Sequence, residues 1–438
     1  MGALVLALSA TSLGCAGEDP LPRPPIVLIV LDTLRADHLG AYGAERSTSP
    51  RIDELAGRSL VFERATSTAP WTNPSMAALF TGEHPAALGI REAAAVLPAA
   101  VPTLTETLSA AGYQTFGVVS HIYVGEKLGF ARGFERWNEE HARGHHYVSS
   151  AAVTDAALAQ LDGRDPERPF FLFVHYFDAH YQYLEHEGHR FTQGPPREGV
   201  EALSVDELRG RVGAGQLAPG DLRRLADVYD SEVSFVDHHV GRLLDELERQ
   251  GLYDASLVVL TADHGEALGD HGWVGHTRTL YQELVRTPLL VKLPGSREST
   301  RVAASVSTRD VYPTLVDHLR LRVPGQADAA QRSLLNVEDD RPAFSETQSN
   351  ATLQSVTLGP WKLVHDTSSG AQRLFDLASD PGESRDRAAA EPTRVAELEA
   401  LRRAWDERNA SVRRLLDANA PELSEAELEQ LRLLGYAR

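Results

Sequence analysis

Four residues able to bind a divalent cation or attack an ester lie far apart in this chain: Asp32, Thr72, Asp263 and His264. Carboxylate oxygens and an imidazole nitrogen form a mixed ligand set that suits Zn or Mn better than Ca, with Ca or Mg still admitted if water completes an oxygen shell. A free threonine hydroxyl is a poor nucleophile, and coordination to such a cation lowers its pKa and removes the need for a separate base. Thr72 falls in Ala69-Pro70-Trp71-Thr72-Asn73-Pro74-Ser75-Met76. A proline at the first helical position there predicts a helix opening just after Thr72, whose unpaired N–H groups would attract an oxyanion. Asn73 is read either as a donor to that oxyanion or as the helix N-cap.

The elements that must position these residues are three short apolar runs, Ile26 to Leu31, Phe170 to Val174 and Leu257 to Leu260. Unbroken β-branched and aromatic runs separated by helical periodicity predict buried parallel strands of an α/β fold. Each run leads into chemistry: Asp32 after the first, Asp178 and His180 after the second, Asp263 and His264 after the third. Ligands of open α/β sheets sit beyond the carboxyl ends of the strands, so three strand ends predict one site. On this criterion Asp178 is a substrate-binding candidate. Of the 17 histidines, His180 and His276 are the candidates for oxyanion binding or for protonating the leaving group, since imidazole titrates nearest neutrality. His175 and His271 flank the predicted site, and His121 is given no role.

Thr103 to Ala111 reads as a helix feeding a strand at Thr115 to Val119, and Leu225 to Arg249 as a long amphipathic helix. Gly188 to Gly220, rich in Gly, Pro and charge, reads as an insertion beside the strand carrying Asp178. After Pro324 the texture changes. Strand candidates at Ser355 to Leu358 and Trp361 to Val364 precede charged helices at Pro392 to Asn419 and Leu423 to Leu434. The expected organisation is an export signal and tether over 1–25, a catalytic domain over 26–325, and a smaller C-terminal α+β subdomain over 326–438. A chain of 438 residues accommodates this division, because single cores stop growing near roughly 250–300 residues.

With 43 basic against 62 acidic residues, the net charge of −19 excludes a broad nucleic-acid-binding face. Hydrophobic content of 42%, charged content of 24% and a mean hydropathy of −0.27 match a globular chain. Met1 to Gly14 is apolar and ends at Cys15, the single cysteine. This predicts export to the periplasm or cell envelope, and Ser12-Leu13-Gly14-Cys15 is similar to a bacterial lipobox, making a lipid anchor at Cys15 the expected membrane link.

The string Val27-Leu28-Ile29-Val30-Leu31-Asp32-Thr33-Leu34-Arg35 resembles the opening of sulfatase-family chains of the alkaline phosphatase superfamily, and Thr72-x-Pro-Ser aligns with their C/S-x-P-S-R nucleophile motif. Thr261-Ala262-Asp263-His264-Gly265-Glu266, Gly269-Asp270-His271-Gly272, Gly275-His276 and Asp310-Val311-Tyr312-Pro313 follow in the family's order, and the resemblance runs from about Ile26 to the end. It implies a large, mostly parallel sheet sandwiched by helices, and a metal-dependent hydrolase of small-molecule, glycan or lipid-headgroup esters of sulfate or phosphate.

The departures are specific. Thr72 replaces the residue that sulfatases convert to formylglycine, Met76 replaces the motif's arginine, Thr33 stands where many have a second aspartate, and Val118 to His121 holds no lysine. A threonine nucleophile is similar instead to the superfamily's phosphodiesterases and lipid-headgroup phosphotransferases, to whose pocket histidines His276 and His180 correspond. A non-catalytic binder of sulfated or phosphorylated glycans is the reading from another class.

Overall fold

The computed structural model describes residues 23–91, 95–142, 149–192, 200, 203–323, 328–347 and 352–418. Cys15, part of the Gly188 to Gly220 insertion and the Leu423 to Leu434 segment lie outside the described residues. Among the described residues no helix is long and apolar enough to cross a membrane.

The three apolar runs become the strands Ile26–Leu31, Phe170–Tyr176 and Leu257–Ala262, buried along their whole length. The first lies between the other two, parallel to both, with Leu31 in register with Tyr176 on one side and Ala262 on the other. Their carboxyl ends are therefore level, and Asp32 and Asp263 leave adjacent strands at the same height. The chain holds this end closed: the Asp32 N–H donates to the Tyr176 carbonyl at 2.9 Å. Outward from Phe170–Tyr176 follow Gln114–Val118 and Arg136–Asn138, both parallel; on the other side Leu289–Lys292 runs antiparallel to Leu257–Ala262 and leads to Leu60–Thr66 and Thr300–Ser307. This is a large, mostly parallel sheet, as expected.

Side chains alternate across a strand, and here the alternation builds two cores. Val27, Ile29 and Leu31 face the helices Pro50–Ala56, Ser150–Asp162 and Pro219–Arg249. Ile26, Leu28 and Val30 face Thr72–Thr81, Leu104–Ala110 and Val311–His318. Both faces being covered explains why the strands read as unbroken apolar runs.

The C-terminal subdomain is an antiparallel sheet in the order Ala343–Thr347, Leu353–Leu358, Trp361–Asp366, Gln372–Asp376. It packs Phe344, Val356, Leu363 and Leu374 against Leu398 and Trp405 of the helix Pro392–Ala418. Residues Ala329, Leu334 and Leu335 still pack into the larger core, so the separate sheet begins at Ala343. A fully buried ion pair, Lys362 Nζ to Glu383 Oε1 at 2.7 Å, lies in this subdomain, and the other Glu383 oxygen accepts the Gln282 N–H at 2.6 Å. The subdomain is thereby tied to the segment just beyond His276.

Candidate active site

Thr72 opens the helix Thr72–Thr81, all ten residues of which are buried. The sequence places this start two residues later than the structure does: Trp71 is the cap, Thr72 is the first helical residue and Pro74 the third. Proline is tolerated there because the first-turn N–H groups have no intrahelical partner. Ser75 Oγ bonds back to the Trp71 carbonyl at 2.8 Å, and Gly82, at φ +68°, ends the helix in the left-handed conformation with its N–H on Ala78. Phe80 anchors the helix on the sheet through an edge-on contact with Phe173 at 4.9 Å. Asn73 does not cap: its amide donates to the Ala95 carbonyl at 2.9 Å. The N-cap expectation is corrected, and the amide's described bond fastens the loop at Ala95.

The sheet edge and this helix bring the four predicted residues together. Oxygen and nitrogen atoms of Asp32, Asp263 and His264 lie within 4.8 Å of one another, all three side chains buried. Thr72 Oγ1 is 3.5 Å from Asp32 Oδ2 and 3.4 Å from His264 Nε2. The Thr277 N–H, donated to the Pro70 carbonyl at 3.0 Å, ties the loop after His276 to the one before Thr72.

Whether these residues fit a cation is decided by their unmet demands. Asp32 Oδ1 and Asp263 Oδ2 are buried oxygens with no hydrogen-bond partner. Burial, then the neighbouring Asp263 and Glu266 carboxylates, push the Asp32 carboxyl well above the usual range; burial does the same to Asp263 against the pull of His264. Two desolvated like charges without a counterion are costly. Among the described residues the basic groups within 4 Å of Asp32 are histidines alone: His264 at 3.8 Å, His175 at 3.5 Å and His121 at 3.9 Å. Two acids with orphaned oxygens and an imidazole nitrogen are a donor set that a divalent cation satisfies.

Tautomers are set from outside the cluster. His264 Nδ1 faces the Gly265 carbonyl at 2.9 Å and His180 Nδ1 the Tyr181 carbonyl at 2.6 Å. A carbonyl can only accept, so each Nδ1 carries a proton and is held in place from outside the cluster. His276 Nδ1 meets Glu266 Oε1 at 2.9 Å. The rings adjoin: His276 is 4.6 Å from His264 and 5.0 Å from His180 between centroids.

Thr33, where the family's second aspartate was expected, serves the backbone. Its N–H donates to Asp263 Oδ1 at 3.1 Å, and its hydroxyl turns away to the Ala179 carbonyl at 2.7 Å. It does so at φ +54°, a left-handed conformation costly for a β-branched residue. Tyr229 holds that turn, its hydroxyl donating to the Thr33 carbonyl and accepting the Arg35 N–H, both at 2.8 Å.

Asp178 is a correction. Its carboxylate accepts the Ser149 N–H at 2.7 Å, the Ser149 hydroxyl at 2.8 Å and the Ser150 N–H at 2.7 Å, so it caps the helix Ser150–Asp162 instead of meeting substrate.

His121 and Glu266 were missed, and His175 was placed beside the site without a role. Phe177 is stacked between His121 and His180, 4.5 Å from each. His175 is fully buried, neither ring nitrogen has a hydrogen-bond partner, and burial followed by His264 pulls it down to about 3, so it is neutral. The signal was present: a histidine inside an otherwise apolar strand, on the same face as Phe173 by alternation and hence on the face of the Thr72–Thr81 helix. His271 lies aside, stacked on Tyr281 at 3.6 Å.

A family model described as Sulfatase matches residues 24–321. The chain is 23% identical to the N-acetylglucosamine-6-O-sulfatase of Bacteroides thetaiotaomicron over 87% of this chain and 86% of that one. It is 24% identical to the choline-sulfatase of Rhizobium meliloti over 82% and 81%. A solved structure described as in complex with its substrate D-glucosamine-2-N,6-O-disulfate superposes with TM-score 0.73 at 19% identity, covering 92% of this chain and 100% of the other. The phosphonate monoester hydrolase of Agrobacterium radiobacter superposes with TM-score 0.69 at 22% identity, covering 90% and 96%. At these identities the superpositions establish the fold.

Proposed function

This chain belongs to the sulfatase family, and from that premise we propose that it is a metal-dependent hydrolase of sulfate or phosphate esters in which Thr72 Oγ1 is the nucleophile. The supporting observation is the position of Thr72 Oγ1, 3.5 Å from Asp32 and 3.4 Å from His264, beside two carboxylates with orphaned oxygens.

Asp32, Asp263, His264 and Thr72 would hold the cation. When bound it would lower the hydroxyl's pKa and offset charge on the ester oxygens, the chemistry Zn or Mn supplies to such donors. Thr72 Oγ1 forms a bond to sulfur or phosphorus as the bond to the alcohol oxygen breaks. That oxygen takes a proton from His276 or His180, whose rings adjoin. Water then cleaves the threonyl ester, releasing sulfate or phosphate and restoring the hydroxyl. Glu266 holds the His276 ring in place. Thr33 orients Asp263 through its N–H.

Relatives named for N-acetylglucosamine-6-sulfate and choline sulfate favour sulfate esters. Threonine cannot become formylglycine, and this together with the phosphonate-hydrolase neighbour supports a second reading, hydrolysis of phosphate or phosphonate esters. Both readings rest on the same nucleophile. Replacing Thr72→Ala should lower kcat/KM on the preferred member of a panel of aryl sulfate, phosphate monoester, phosphodiester and phosphonate by about a thousandfold or more. Unchanged turnover would remove the assignment, and the rate ratios across the panel choose between the two ester classes.

A further inference from the structure

One ring beyond His121 lies a cavity of about 320 Å³. Ile122, Tyr123, Leu128 and Ala142 form its apolar wall, and Lys127 and Glu139 its polar one. It adjoins the catalytic cluster across packed rings. His121 Nδ1 is 3.9 Å from Asp32 Oδ2, and its ring meets that of Tyr123 edge-on at 4.9 Å. The turn Ile122–Val124 also packs against the helix that Thr72 opens.

Three features describe an occupant. The volume is near the lower end for small-molecule sites, which run from about 300 to 1,000 Å³ and hold at least a ring. Ile122 keeps 54% of its surface exposed, and with Tyr123 it presents an apolar, partly aromatic wall that a flat ring would cover. The two charged walls differ. Glu139 Oε2 already accepts the Glu126 N–H at 2.8 Å and Trp137 Nε1–H at 2.9 Å. Lys127 is exposed and takes part in no ion pair among the described residues. Among the described residues that line the cavity Lys127 is the cation, and its exposed ammonium can pair with an anionic group on the occupant.

We propose that this cavity receives the alcohol half of the ester, and that this alcohol is extended: a ring lying against Tyr123 and Ile122, with an anionic substituent reaching Lys127. The inference rests on the reading of Thr72 as the centre of ester hydrolysis.

The test compares phenyl sulfate with the sulfate ester of 4′-hydroxybiphenyl-4-carboxylate, and the corresponding phosphates, on the full metal-loaded chain and on Lys127→Ala and Ile122→Trp. Both substitutions are at exposed or rim positions. The ratio of kcat/KM, carboxylated over plain, should fall about threefold to fivefold in Lys127→Ala, the range of an exposed ion pair. It should fall about tenfold or more in Ile122→Trp, where the indole fills the cavity. Calorimetric binding of free 4′-hydroxybiphenyl-4-carboxylate separates the two layers. If the alcohol binds and both variants weaken it while no ester is turned over, the cavity stands and the hydrolysis reading falls. If esters are turned over and neither the ratio nor the alcohol's affinity moves in either variant, the cavity assignment is overturned and the hydrolysis reading stands.

Discussion

Asp178 and Asp237 are nearly as deeply buried as Asp32 and Asp263, but their oxygens live differently. Asp178 is filled by the Ser149 and Ser150 N–H groups and the Ser149 hydroxyl. Asp237 accepts the Ile52 N–H at 2.8 Å and the Arg51 N–H at 3.1 Å, at the start of the helix Pro50–Ala56. Both carboxylates complete a helix N-terminus. At the sheet edge, Asp263 has one oxygen satisfied by the Thr33 and His264 N–H groups and the other orphaned, and Asp32 Oδ1 has no partner. Burial alone therefore does not distinguish a structural acid from a reactive one; the count of partners on each oxygen does.

Four perturbations press on that difference. The largest effect belongs to Asp32→Asn, which should cut kcat/KM by about a thousandfold or more and reduce bound metal while leaving the circular dichroism spectrum intact. Retained metal and turnover would place Asp32 with the structural acids.

Next is a pH effect at Asp237, whose carboxyl burial pushes up to about 7 against the pull of the two N–H groups. Folding raises this group above its ordinary value, so its contribution is intact below about pH 4 and is lost as pH rises through 7. The stability difference between wild type and Asp237→Asn should change across that window by up to about 4 kcal/mol, at ~1.4 kcal/mol per unit, in denaturant titrations. A difference independent of pH would show that the acid ionises without cost.

Third, chelation should lower the melting temperature, since a ligand held at a hundredfold its dissociation constant contributes about 2.7 kcal/mol. Zn or Mn should restore it, and the Asp32→Asn chain should show no such response. Smallest is Asp178→Ala, which removes a cap worth roughly 1–2 kcal/mol and should leave metal content as in the wild type. Loss of metal there would erase the distinction between the two kinds of acid.

Much of the frame was legible before the structure. Strands buried on both faces leave unbroken apolar runs, and level strand ends follow once the three runs are parallel neighbours. That argument brought Asp32, Asp263 and His264 to one point. It failed for Asp178 because lying beyond a strand end is necessary and not sufficient: the residue two positions past Tyr176 turns to the helix Ser150–Asp162, a partner nothing local announces. It left His175 only flanking the site because the strand runs two residues further than the apolar run, to Tyr176, and the face of an imidazole at that end is set by the strand's alternation. Asn73 misled because a Thr-Asn-Pro-Ser string is good capping chemistry, while the burial of the whole helix starts it earlier, at Thr72. Glu266 sits two residues from His264 inside the quoted motif, yet its contact with His276 depends on a loop that returns ten residues later.

Anomalous diffraction from crystals grown with Zn or Mn, recorded at the metal's absorption edge, bears most directly on the cation centre. One strong peak is expected at bonding distance, about 2.0–2.3 Å, from oxygens of Asp32 and Asp263 and from His264 Nε2, with Thr72 Oγ1 completing the shell. A metal bound elsewhere, with those carboxylate oxygens still unpartnered, would contradict it.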